Sequence, residues 1–144
     1  MTNDEARDRL PRLARHLPAF EAQGFRFGSW VPSTERDDGV IVMGWYEPGA
    51  EAEAFLADAR ALITPFDWPA WASGPEGQAL LGHPEAVASA SAGDLGKLLT
   101  VYIRSERFGD GTLEAAHASG MLTAIVRRAG VLAAEADRTP RRGT

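Results

Sequence analysis

The stretch that decides the fold is residues 91–128, which read SAGDLGKLLTVYIRSERFGDGTLEAAHASGMLTAIVRR. Apolar residues recur in it every three or four positions, as they do in amphipathic helices. The turn at residues 109–111 has the sequence GDG and divides the stretch in two. We therefore predict two helices, the second of which is capped by Thr112 and is apolar or small on nearly every side. A helix of this kind normally lies in the core of its fold.

The only dense group of side chains able to do chemistry lies in the same stretch. It comprises Tyr102, Arg104, Glu106, Arg107, Asp110 and His117. If the two helices fold back on one another at the turn, His117 comes near Glu106 and Arg107. A carboxylate beside a histidine can orient the imidazole as a general base, and an arginine can fix an anionic substrate. The catalytic candidates are therefore His117 and Glu106, and the ligand-binding candidates are Arg104, Arg107 and Tyr102.

These residues also fit structural roles. A core histidine can hydrogen-bond to a carbonyl group, and arginines near a helix C-terminus interact favourably with the helix dipole. Glu106 falls on the apolar stripe of the first helix, one turn after Tyr102, so a buried Glu106 needs an arginine, the Tyr102 hydroxyl or a proton of its own. If the first helix ends at Ser105 instead, Glu106 faces water. Arg104 projects opposite the stripe, where we expect it to be solvated.

Two function classes remain open. The first is a non-catalytic regulatory or interaction module that presents the arginine-rich residues 104–108 to an acidic or anionic partner. The second is a small hydrolase or lyase that uses Glu106 and His117, with an arginine anchoring an anionic substrate. We prefer the first, because the sequence contains no phosphate loop, dinucleotide glycine fingerprint or nucleophile elbow. The three histidines form no close ligand pair in the sequence, so we predict no metal site, and we predict no cofactor.

Two segments in the first third of the chain predict a β-hairpin. Residues 25–31 alternate with period two, and residues 40–46 are rich in β-branched and aromatic side chains. The polar loop between them ends in Asp38-Gly39, a common hairpin turn. Two strands alone are marginally stable in water, so helices must cover at least one face. We therefore predict an α+β fold: a small antiparallel sheet of two or slightly more strands, covered by about five helices, with the C-terminal helical hairpin in the core.

The remaining helices are less regular. Near the start, we place Pro11 at the first helical position, because a proline inside a helix removes a hydrogen bond. His16 falls on the basic face of that helix, which we interpret as solvated. Residues 50–63 predict an amphipathic helix with Glu53 and Arg60 opposite its apolar face.

The aromatic segment at residues 65–71, PFDWPAW, allows two interpretations. Three rings beside an acid can cage a cation, but such rings more often fill the core, and we prefer that interpretation. Residues 76–81 and 84–90 predict short helical turns, because glycines and prolines interrupt them.

Length and composition narrow the class of protein. A chain of 144 residues is a common size for one domain, which we place at residues 1–135 with a frayed tail at 136–144. The net charge of −5 opposes nucleic-acid binding. The longest apolar run, residues 40–46, is too short to cross a membrane, and with no signal peptide we expect a cytoplasmic location. The expected partner is a protein or a small anionic ligand, and a homodimer remains open.

Three segments resemble a known family. They are LPAFEAQGFRFGSW near the start, PFDWPAW in the middle, and LLTVYIRSERFGDGTLEAAHASGMLTAIVRR near the end. The chain resembles, from about Leu10 to Arg128, an uncharacterised bacterial family catalogued as domain of unknown function 6508. The late motif, R-x-x-R-F-x-x-G-x-L followed by S-G-x-L and R-R, is carried by Arg104, Arg107, Phe108, Gly111, Leu113, Ser119, Gly120, Leu122, Arg127 and Arg128. The resemblance implies that this stretch is one domain, and it implies no activity, ligand or catalytic residue.

Overall fold

The computed structural model describes residues 3–106 and 111–138, which form nine helices and four short strands. The helices are α1 (Asn3–Ala14), α2 (Leu17–Glu21), α3 (Ala50–Arg60), α4 (Trp68–Ser73), α5 (Pro75–Leu80), α6 (Pro84–Val87), α7 (Ala92–Glu106), α8 (Thr112–Ala118) and α9 (Met121–Arg138). The strands are β1 (Gly28–Val31), β2 (Thr34–Glu35), β3 (Ile41–Val42) and β4 (Trp45–Pro48). The predicted α+β class is confirmed. The described residues hold more helices than the five or so expected, because prolines and glycines divide the chain into short turns.

The predicted antiparallel hairpin is confirmed, but it is divided into two ladders. β1 pairs with β4, and β2 pairs with β3 farther along the same hairpin. Between the ladders, a Cβ atom on Gly44 would lie 2.5 Å from the carbonyl oxygen of Val31, so the two backbones approach too closely for a side chain. Pro32 also lacks the N–H that a continuous ladder would need. The hairpin is therefore a long, narrow two-stranded ribbon.

The core is built mainly by the four long helices α1, α3, α7 and α9. Helix α9 contacts α1, α2, α6, α7 and α8, so the C-terminal helices lie in the core, as the sequence predicts. The largest fully buried side chains include Phe27, Phe55, Leu10, Leu13, Leu95, Leu98, Leu99, Met121, Leu122 and Ile125. In the described residues, no helix combines the length and apolar character required to cross a bilayer.

Two helix boundaries differ from the sequence predictions. Pro11 does not begin α1 but lies in its interior, because the helix starts at Asn3. The missing backbone hydrogen bond costs about 3 kcal/mol, and the complete burial of Leu10 and Leu13 on either side of Pro11 offsets this cost at about 1.5–3 kcal/mol per side chain. The helix predicted from Thr112 onward is interrupted at Gly120, whose φ of +88° ends α8 and redirects the chain into α9.

Candidate functional site

A cleft of about 570 Å³ lies between α3 and α7 and is bounded by the end of β4 and the start of α8. Its lining residues are Pro48, Glu53, Leu56, Arg60, Ile63, Ile103, Arg104, Glu106 and Leu113. Aliphatic side chains supply about half of this set, and two arginines and two glutamates supply most of the rest. Two residues predicted as site residues, Arg104 and Glu106, therefore meet in one concave surface.

Glu106 caps the N-terminus of α8. Its Oε1 atom accepts a hydrogen bond from the backbone N–H of Gly111 at 3.0 Å, and its Oε2 atom accepts one from Leu113 at 2.9 Å. The residue at the usual capping position is Gly111, with a φ of +97° and no side chain that could cap the helix. A carboxylate satisfies the free N–H groups there and interacts favourably with the helix dipole. Both oxygens of Glu106 are thus engaged in holding α8 against the end of α7.

His117 lies in the last turn of α8, in an aromatic environment. Its ring centroid is 5.1 Å from that of Phe20, 5.0 Å from Phe25 and 6.2 Å from Phe27. Burial lowers the pKa of His117 below its ordinary value of 6.5, and the nearby Glu114 carboxylate partly opposes this shift. The Nδ1 atom is buried and has no hydrogen-bond partner among the described residues.

The structure does not join Glu106 and His117 by a hydrogen bond. Glu106 contacts the first turn of α8, whereas His117 lies a full turn beyond Leu113, about 6 Å along the helix axis at the usual rise per residue. His117 is also not among the residues that line the cleft. The geometry required of a carboxylate that orients a histidine as general base is therefore not present between this pair.

The three arginine and tyrosine candidates differ in position. Arg104 is exposed at the rim of the cleft, in agreement with its predicted solvation. Tyr102 is partly buried and is absent from the cleft lining; burial raises its pKa, and a hydrogen bond with the backbone of Gly82 opposes the shift. Arg107 lies outside the described residues.

Sequence reasoning missed Arg60, the second arginine of the cleft. Helical periodicity correctly put it opposite the apolar face of α3, where it is exposed. Periodicity does not say which neighbouring element flanks that polar face, and here the neighbour is α7, which carries Arg104. The sequence contains no local signal that pairs these two residues.

Tyr46 is a further group that sequence reasoning did not select. Burial raises the pKa of Tyr46 to about 12; the carboxylates of Glu114 and Glu106 add to the shift, and Arg26 opposes it. Its hydroxyl is buried and has no partner among the described residues. The ring is buried in the hydrophobic core cluster, so Tyr46 anchors the hairpin to the body of the protein, and within the hairpin it lies 5.3 Å from the ring of Trp30.

The prediction that His16 lies on a solvated face is wrong. Only 2% of its side chain is exposed, and Nδ1 lies 2.7 Å from a Glu51 carboxylate oxygen while Nε2 lies 2.6 Å from Asp58. Arg15 contacts the same Asp58 oxygen at 2.9 Å. The helical wheel failed because α1 ends at Ala14 and α2 begins at Leu17, so His16 lies in the junction and turns toward α3.

The fold and the cleft define a small α+β protein with an arginine-rimmed cleft between two helices. The model of a family of unknown function, DUF6508, matches residues 5–135, so the chain belongs to that family and the resemblance is confirmed. No curated protein and no solved structure matches the chain. Among the described residues, no group of three or more histidine, aspartate or glutamate side chains is arranged so that it could hold a metal ion.

Proposed function

We propose that this protein is a non-catalytic binding module that recognises an anionic group, on a small ligand or on a partner protein, in the cleft between α3 and α7. The observation that carries the proposal is the pair of arginines, Arg60 and Arg104, which line the cleft. Neither guanidinium makes a hydrogen bond or an ion pair with residues 3–106 or 111–138. An arginine with its donors free matches the geometry of a carboxylate or phosphate.

The charge balance of the cleft favours an anion. Both carboxylate oxygens of Glu106 already accept backbone hydrogen bonds, so its charge is directed at the start of α8. Glu53 is the remaining carboxylate of the described lining. Two guanidiniums are thus opposed by one carboxylate that is free to interact with a ligand.

The aliphatic part of the lining indicates what else the ligand contains. Leu56, Ile63, Ile103 and Leu113 contribute apolar surface beside the arginines. A volume of about 570 Å³ falls in the range of ordinary ligand sites, in which apolar walls supply contact area and a few polar groups fix orientation. The preferred ligand therefore joins an anionic group to an apolar segment, such as an acidic residue beside an aliphatic residue in a peptide.

Binding agrees better with this site than catalysis does. The described lining contains no histidine, tyrosine, serine or lysine that could act as nucleophile or general base. Both carboxylate oxygens of Glu106 already accept backbone hydrogen bonds, and Glu53, the other carboxylate of the described lining, has no histidine or serine beside it in that lining with which to form a catalytic pair.

The test is a binding screen by thermal shift and calorimetry with three probes: inorganic phosphate, decanoate, and a peptide of alternating glutamate and leucine. A ligand that binds only the folded protein raises its apparent stability. We expect the peptide or decanoate to bind more tightly than phosphate, because phosphate lacks the apolar part. Arg60→Gln and Arg104→Gln should each raise the dissociation constant roughly 10- to 100-fold, the effect of losing one charged hydrogen bond.

Arg12→Gln is the control, because Arg12 is also an exposed helical arginine but lies on α1, outside the cleft lining. It should bind every probe as the wild type does. The proposal fails if no probe binds, or if a probe binds the double variant Arg60→Gln/Arg104→Gln with unchanged affinity.

A further inference from the structure

The hairpin carries most of the exposed apolar surface of the described chain. We call residues 28–48 the β arm. Six of the seven large apolar side chains that are exposed in the described residues belong to it, and they are Trp30, Val40, Ile41, Val42, Met43 and Trp45. Met43 is 76% exposed and Ile41 is 64% exposed, which are unusual values for residues of this size and hydrophobicity. The concentration of such residues in one protruding element marks an interaction surface.

Both faces of the β arm carry exposed apolar side chains. Trp30 pairs with Tyr46 and Val31 with Trp45 in the antiparallel ladder, and directly paired residues share a face. Trp30 and Trp45 therefore point to opposite sides of the ribbon, and both are about half exposed. A hairpin with one solvated side normally shows polar residues on that side. The face of Trp45 also carries the exposed polar residues Ser29 and Glu47, but each face holds exposed apolar side chains, so covering one face alone would leave apolar surface in water.

The charges of the chain indicate which kind of partner the β arm would bind. Residues 40–46 read VIVMGWY and contain no charged group, while the whole chain carries a net charge of −5. Two copies of an acidic protein repel one another, and the repulsion is least where they meet through an uncharged surface. A strongly charged partner would find no complementary group on these residues. A second copy of the chain, in contrast, presents the same apolar ribbon.

The exposed area is sufficient for a dimer. A whole aromatic side chain has an area of about 150–250 Å². When each exposed fraction is multiplied by the area of its side chain, the six residues expose roughly 600 Å² per chain. This is the upper end of the largest apolar patch on an ordinary monomer, about 300–600 Å². Two such surfaces together bury roughly 1,200 Å², the lower limit for specific, stable interfaces.

We propose that the β arm is the interface of a homodimer, in which the arms of two copies pack against each other about a two-fold axis. In a two-fold interface the same residues are contributed by both copies, so a self-complementary apolar ribbon suits it. With exposed apolar residues on both faces, each arm can contact the partner's arm on one side and the partner's body on the other. Because this interface is at the small end of the range for specific complexes, we expect weak association, with a dissociation constant on the order of micromolar.

The first test is sedimentation velocity of the full chain over a range of concentrations from about 1 to 200 μM. The wild type should shift from monomer to dimer in this range. Met43→Lys and Ile41→Lys should raise the dimer dissociation constant at least 100-fold, because a lysine would bring an unpaired charge into an apolar contact. Their thermal unfolding, followed at 1 μM, should match that of the wild type, because both positions are exposed in the monomer.

Val131→Lys is the matched control, because Val131 is the one exposed large apolar residue of the described chain that lies outside the β arm. It should dimerise as the wild type does. The proposal is overturned if the wild type remains a monomer at 200 μM, or if Met43→Lys and Val131→Lys dimerise equally.

A second test uses the absence of cysteine from the sequence. In the proposed dimer the two Met43 positions lie beside the two-fold axis, where a residue meets its own counterpart, so Met43→Cys should form a disulfide-linked dimer in mild oxidant, whereas Val131→Cys should stay monomeric. Equal cross-linking of the two variants would refute the arm interface. So would a wild-type chain that stays monomeric in solution and sediments with phosphatidylcholine vesicles, since the apolar residues would then serve a lipid surface.

Discussion

Replacing His16 with alanine should lower the free energy of unfolding by about 3 kcal/mol, a large effect for one residue. The imidazole is almost fully buried, and its two nitrogens lie 2.7 Å and 2.6 Å from carboxylate oxygens of Glu51 and Asp58. These contacts connect the α1–α2 junction to α3 at two points, one near each end of that helix. Loss of the ring removes both contacts and its edge-on packing against Phe55, at 5.8 Å between ring centroids.

The size of this loss in stability depends on how well each carboxylate is solvated or paired once the histidine ring is gone. Hydrogen bonds to charged groups contribute about 1.5–3 kcal/mol each, and breaking a buried pair costs about 3–5 kcal/mol. Glu51 is 42% exposed, so water can solvate its carboxylate, which recovers part of the free energy lost with the hydrogen bond to His16. Asp58 is only 12% exposed and, among the described residues, keeps Arg15 as its one remaining partner. We therefore expect the low end of this range.

The assay is urea unfolding followed by circular dichroism, with thermal unfolding in parallel. A loss of about 3 kcal/mol lowers the melting temperature by roughly 10 °C for a chain of this size. His83→Ala is the matched control: His83 also lies beside a carboxylate, Glu85 at 3.4 Å, but its side chain is 53% exposed. Solvent screens such a pair, so the control should lose less than about 0.5 kcal/mol.

A double-mutant cycle adds a second criterion. His16→Ala and Asp58→Ala should be coupled by at least about 1 kcal/mol, because each removes the partner of the other. The reasoning is refuted if His16→Ala costs less than 1 kcal/mol, if His83→Ala costs as much, or if the two substitutions are additive.

Two further predictions concern packing and pH. Gly96→Ala should lower the free energy of unfolding by about 1–3 kcal/mol, measured by thermal unfolding, because the added Cβ would lie 2.7 Å from the carbonyl oxygen of Leu62. In the control Gly93→Ala, in the same helix, the added Cβ meets nothing closer than 3.7 Å, so this variant should be as stable as the wild type or slightly more stable. Equal losses in the two variants would contradict the prediction. Burial lowers the pKa of His117 in the folded state, so the unfolded chain binds the proton first, and stability should be retained above pH 6.5 and fall below it until the folded-state pKa is reached. Urea midpoints between pH 7 and 5 should therefore fall less in His117→Gln than in the wild type, and parallel falls would argue against the pKa shift.

The sequence predicts those parts of the fold that depend on local periodicity. The β-hairpin was recognisable because residues 25–31 and 40–46 have strand patterns on either side of Asp38-Gly39, and that glycine does adopt a φ of +82°. Gly120 shows where local pattern is insufficient. A glycine within a helical pattern is compatible with a continuous helix or a break, and packing of α8 and α9 against different neighbours decides between them.

The site was less predictable, because its geometry depends on contacts between distant segments. The sequence correctly indicated that Glu106 required a partner if it was buried, but the partners considered were side chains. The actual partners are two backbone N–H groups at the start of α8. Backbone donors have no sequence signature, and they are free only because Gly111 supplies no cap of its own. For the same reason, Arg60 could be placed on a polar face but not in a cleft.

Glu106 affects both the shape of the cleft and the charge that the cleft presents to a ligand. By accepting from Gly111 and Leu113, it fixes the first turn of α8 beside α7, which brings the Leu113 side chain into the cleft wall. The same two hydrogen bonds direct its negative charge at a helix N-terminus, where the charge offsets the helix dipole. If Glu106 were free, it would compete with a ligand for Arg60 and Arg104. The cap therefore both shapes the wall and leaves the arginines available, so shape and electrostatic preference of the cleft depend on the same pair of contacts.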